Sequence, residues 1–139
     1  VSELDAFMSA LQTKWSGVSG IKRAPEHPLE NLNEFPIAIS YFVTGRFDYG
    51  PATIGIHRVH SDVLLSRSML PHDEAAARPF ILRWLAAIAG DVTLGGVCDH
   101  CILQDYEMGG ITYNEQQQFF GVRFIHEVKI HHTGIVVAA

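Results

Sequence analysis

Apolar residues at the start of the chain recur at helical spacing. Leu4, Phe7, Met8, Leu11 and Trp15 fall on one face of a 3.6-residue period. Ser2 stands at the N-cap position with Asp5 three residues on, an aspartate form of the capping box, and Gly17 and Gly20 end the run. The pattern predicts an amphipathic helix of about three turns. A polar stretch from Lys22 to Glu34, with Pro25 and Pro28, reads as loop, with a short strand possible near Val18–Ala24. From Pro36 the period drops to two: Ile37, Ile39, Tyr41 and Val43 alternate with Ala38, Ser40, Phe42 and Thr44. A turn region from Gly45 to Pro51 and a β-branched run from Thr53 to Leu65 complete a long β-hairpin.

Pro71-His72-Asp73-Glu74 opens a second helix with Asp73 as its expected cap. Ala77, Ile81, Trp84, Leu85 and Ile88 form its expected apolar stripe. Pro79 must lie in the first turns or kink it, and Gly90 or Gly95-Gly96 stops it. The last third reads as strands: Cys101–Tyr106, a turn at Gly109-Gly110, a short strand Ile111–Tyr113, then a long alternating run. In that run Phe120, Val122, Phe124, His126, Val128 and Ile130 alternate with Phe119, Gly121, Arg123, Ile125, Glu127 and Lys129, as expected of a central strand. The order α-β-β-α-β-β, with helices segregated against a mainly antiparallel sheet, is α+β.

Composition narrows the function classes. A chain of 139 residues fits one domain, and at 47% hydrophobic with a mean hydropathy of +0.12 it suits a subunit that hides surface against partners. No run approaches the roughly 18 apolar residues of a membrane span, and Glu3 and Asp5 stand where an export signal carries base. The net charge of −5 and the scattered Lys and Arg argue against a phosphate-gripping surface. Acidic character suits a conduit through which DNA slides without sticking.

Cys98-Asp99-His100-Cys101 is the most suggestive local motif, since two thiolates at this spacing chelate zinc when other ligands complete the site. The chain offers only His126, His131 and His132 as completing ligands, so the reading adopted is two small buried hydrophobes at a strand start, in a reducing compartment. His57 and His60, like His131 and His132, are an odd number of residues apart and face opposite sides of a strand. No G-x-S-x-G, P-loop or G-x-G-x-x-G is present, and Gly95-Gly96 follows a helix rather than a strand. Asp73-Glu74 suits a helix dipole without chemistry. No catalytic residue, metal ligand or cofactor is assigned. Arg46, Phe47, Asp48 and Tyr49 at the hairpin tip have the aromatic and charged composition of interface hot spots, and are the expected contact residues.

From Phe35-Pro36-Ile37-Ala38 to Ile130 a series of landmarks follows in order. They are the strand Thr53–Leu65, Arg78-Pro79-Phe80 opening a helix, Thr93-Leu94-Gly95-Gly96, Tyr106, Gly109, Thr112-Tyr113 and Gly121-Val122-Arg123-Phe124. This order resembles the tail terminator and minor tail proteins of siphophages. The resemblance implies a tail-terminator-like domain over residues 1–139, with 131–139 as a C-terminal extension. It implies a structural virion protein forming a homohexameric ring at the head-proximal end of the tail tube. Such a ring stops tube growth and joins tail to head; its partners are itself, the tail-tube protein and a head connector or stopper, with DNA passing through the lumen and no membrane. The sequence departs from the pattern at Cys98–Cys101, at Asn114-Glu115-Gln116 and after Ile130. Alternatives are another ring of the same particle (a tail-tube or neck stopper subunit) and a small cytosolic metal-binding or thiol enzyme built on Cys98 and Cys101.

Overall fold

A computed structural model describes residues 2–29, 32, 34–66, 72–113 and 117–132. The chain is α+β, with element order α1 (Glu3–Ser16), β1 (Ile37–Asp48), β2 (Thr53–Ser66), α2 (His72–Ala89), β3 (His100–Tyr113) and β4 (Gln117–His132). The four strands form one antiparallel sheet in the order β1-β2-β4-β3.

Helix α1 starts as its residues predict. The Asp5 N–H donates to Ser2 Oγ, and the Asp5 carboxylate returns to the Ser2 backbone, closing the capping box. Phe7, Met8, Leu11 and Trp15 are buried beneath it. Helix α2 begins at His72, so Asp73, expected as its cap, falls within the helix. It continues through Pro79, which has no N–H to offer the Ala75 carbonyl, and ends at Gly90. Its buried stripe is Ala77, Phe80, Trp84 and Ile88, whereas Leu85 is 46% exposed. Phe80 takes the place expected of Leu85 because the face turned to the sheet centres on Trp84, and Leu85 lies about 100° further round.

Two further sequence expectations are corrected. Gly109-Gly110 is no turn: β3 runs unbroken to Tyr113 because Gly109 pairs with Gly121 and Gly110 with Phe120 on the long partner β4. Among the described residues the Val18–Ala24 segment contributes an isolated bridge, Arg23 to Ile37. Strand β4 runs two residues beyond Ile130, to His132; the remainder of the expected extension, 133–139, and residues 114–116 lie outside the described residues.

Both helices cover one face of the sheet. That core joins Phe7, Leu11 and Trp15 of α1 and Phe80, Trp84 and Ile88 of α2 to Val59, Val63, Phe124 and Val128. The Trp15 and Trp84 rings stack at 3.6 Å with 9° between planes, tying the two helices together. The opposite face has a smaller cluster at one end, Ile37, Ile39, Leu64, Ile111 and Phe119, covered by Leu32 and flanked by Leu29 and Phe35. The rest of that face mixes charged and polar residues (Arg58, Asp62, Arg123, Glu127, Lys129) with Ile54, Ile56, Ile102 and Ile125.

Candidate assembly interface

The first part of β1 is buried, but 43–48 are exposed, and β1 forms one border of the sheet. A bulge between Phe42 and Thr44 keeps the strand in register with β2 out to Asp48. This places Arg46 and Asp48 on the helix-free face and Phe47 on the helix side. Phe47 is 45% exposed and meets His57 and His132 edge-on at 5.4 and 5.5 Å, whereas Tyr49 is 76% exposed. The four expected contact residues therefore divide: Phe47 is partly seated on its own domain, while Arg46, Asp48 and Tyr49 face outward.

The other border is β3. Residues Ile102 and Tyr106 are exposed there, at 45% and 53%, and Asp105 and Glu107 also face out. The sequence reading missed this second edge because it broke β3 at the glycines.

The titratable groups are mostly occupied by the fold. His126 is fully buried on the helix side; its Nδ1–H donates to the Val59 carbonyl at 3.0 Å, and its Nε2 accepts from Trp84 Nε1–H at 2.7 Å. Burial drives its pKa down to about 4. His57 and His60 do face opposite sides. His60 lies against Tyr41, while His57 meets His132 across the sheet, Nε2 to Nε2 at 3.0 Å. His132 Nδ1 bonds Glu3 at 3.2 Å, and a carboxylate only accepts. Neutral His132 therefore has its proton on Nδ1, and His57 donates to its free Nε2. Gly55 makes this possible, since a Cβ there would lie 2.5 Å from both Nε2 atoms. On the helix-free face Arg123 grips Asp62 with two nitrogens, at 2.9 and 3.3 Å, and the Tyr41 hydroxyl donates to the same carboxylate at 2.8 Å.

Cys98 and Cys101 are both buried, and burial pushes their thiols up, to about 11 and about 12. Such thiols are protonated at neutral pH and poor nucleophiles. The three histidines considered as completing ligands are committed elsewhere: His126 to Trp84, His132 to His57, and His131 to Asp99. Among the described residues no group of three or more His, Cys, Asp or Glu is placed to hold a metal ion. The Thr93-Leu94-Gly95-Gly96 segment is a left-handed turn, with φ of 48°, 73° and 94° at its last three residues, and Asp91 accepts from the Gly95 N–H at 3.1 Å. Glycine is favoured there by conformation, and no ligand is needed to explain it.

No family model matches the chain, and no curated protein matches it. No helix is long and apolar enough to cross a membrane among the described residues.

Proposed function

We propose that the chain is a structural, non-catalytic subunit of a long-tailed phage particle. It closes into a ring at the head-proximal end of the tail tube, ends tube growth and joins the tail to the head connector. The observation that carries this reading is the pair of unlike open sheet edges. Among the described residues strands β1 and β3 each have one neighbouring strand, and they run in opposite directions across the order β1-β2-β4-β3. An edge that meets a different edge of an identical copy makes a heterologous contact, and such contacts close into rings with two distinct faces when the rotation between copies divides the circle. One face can then match the tube end while the other does not, which ends polymerisation. Away from its apolar cluster, the helix-free face carries Arg58, Asp62, Arg123 and Glu127, polar groups suited to a wet lumen. The order of sequence landmarks from Phe35 to Ile130 supports the tail assignment.

Deleting the gene from its phage should leave heads and tails unjoined, with tails of abnormal length under the electron microscope. Normal infectious virions from the deletion would reject the reading.

A further inference from the structure

We propose that neighbouring copies join by antiparallel pairing of β1 from one copy with β3 from the next, in a register that sets Arg46 opposite Asp105. This rests on the ring reading and specifies its contact.

Part of each edge is already taken. At the start of β1 the Lys22 N–H bonds the Pro36 carbonyl at 2.9 Å and the Ala38 N–H bonds the Arg23 carbonyl at 3.0 Å. At the start of β3 the Cys101 N–H bonds the Val92 carbonyl at 2.7 Å. Beyond these, 39–48 on β1 and 102–113 on β3 have no further partner strand among the described residues. Unpaired main-chain edges of this kind add strands from other copies.

The paired rows of the sheet define how two copies must slide. One row runs Arg46, Ile56, Lys129, His100; another runs Tyr41, His60, Ile125, Asp105. Copies laid flush would bring Arg46 to His100, beside the stretch that Val92 occupies, and would leave the far half of the β3 edge empty. A slide of about four rows aligns the whole open length. Arg46 then faces Asp105, Thr44 faces Glu107, Asp48 faces Ile102, and Tyr41 lies over Gly109, which has no side chain to oppose it.

Four rows over four strands is about one residue per strand, which tilts strands by about 35° at a rise of about 3.3 Å and a spacing of about 4.8 Å, as in closed barrels. The tilt depends on the slide per strand, so it holds for any number of copies. The direction also agrees. Strands β2 and β3 are parallel and joined through α2, a crossover that is right-handed in nearly all proteins. With the helices on the outer circumference, the right-handed twist of a sheet moves each neighbour in this sense.

Charge supports the match. Arg46 and Asp105 lie on the same, helix-free face, and neither has an ion-pair partner among the described residues. Glu107 sits diagonally within reach of the same guanidinium, a cross-strand arrangement that stabilises pairing.

The test uses the full chain with paired cysteines, oxidised under assembly conditions and run on a non-reducing gel. Arg46→Cys with Asp105→Cys should give a ladder of linked multimers, and each single variant should not. The flush pair, Thr44→Cys with Ile102→Cys, should stay monomeric on the gel. A ladder from the flush pair, from Arg46→Cys with Glu107→Cys alone, or from no pair while rings form by electron microscopy would overturn the register and leave the ring reading intact. As a second arm, Arg46→Glu should lower the ring population by at least about tenfold, since like charges then oppose each other, and Arg46→Glu with Asp105→Arg should restore it. Wild-type protein that stays monomeric even with its tail partners would instead overturn the ring reading itself.

Discussion

His126 shows how a single side chain can be fully accounted for by its surroundings. Both ring nitrogens are bonded and the ring is buried, so the neutral form is favoured and its pKa falls from 6.5 to about 4. In the unfolded chain the same imidazole takes a proton near pH 6.5. As pH falls through 6.5 the unfolded state gains a proton that folded His126 refuses, so stability drops until about pH 4, by an amount on the order of 3 kcal/mol. Urea melts between pH 7.5 and 4 should show this decline, and a flat profile would contradict the assignment. Trp84→Phe removes the donor to His126 Nε2 and should cost about 1–3 kcal/mol in the same measurement at neutral pH. The His57–His132 contact has a signature of its own: nitrogen NMR of the neutral rings should find the proton on Nε2 of His57 and on Nδ1 of His132. Gly55→Ala places a methyl 2.5 Å from both Nε2 atoms and should destabilise the fold by about 1–3 kcal/mol. Unchanged tautomers in that variant would mean that the rings do not converge over Gly55.

At the scale of the element, the hairpin tip and the helix pair behave differently. Phe47 leans on His57 and His132, whereas Tyr49 is free of such contacts and mostly exposed. Tyr49→Ala should therefore leave thermal stability unchanged while weakening assembly, and Phe47→Ala should lower both. Equal melting losses in the two variants would show that the tip packs as one unit. The two helices touch the sheet more than each other, and the Trp15–Trp84 stack joins them within the core. Trp15→Ala empties a fully buried site and should cost about 3–5 kcal/mol in denaturant unfolding. The alternation on β4 and the capping box of α1 were both readable in advance, because side-chain period and cap chemistry are local properties. The continuity of β3 was not, because glycines read as a turn until a partner strand supplies the hydrogen bonds that keep them extended.

For the whole molecule, the α+β class and the number of major elements follow from periodicity, and the structure agrees with them. The order in which the strands lie side by side does not follow, since β4 inserts between β2 and β3 and so moves β3 to the border. That placement makes Asp105, Tyr106 and Glu107 edge residues, which the proposed pairing of Arg46 with Asp105 of the next copy requires. Local sequence determined where helix and strand begin, which faces are apolar, and that His57 and His60 part ways, because those depend on spacing along one segment. Only the tertiary structure decided that His57 meets His132 over Gly55, that Trp84 bonds His126, and that two unlike edges remain open among the described residues, because each depends on chain folding over distances that no local pattern encodes.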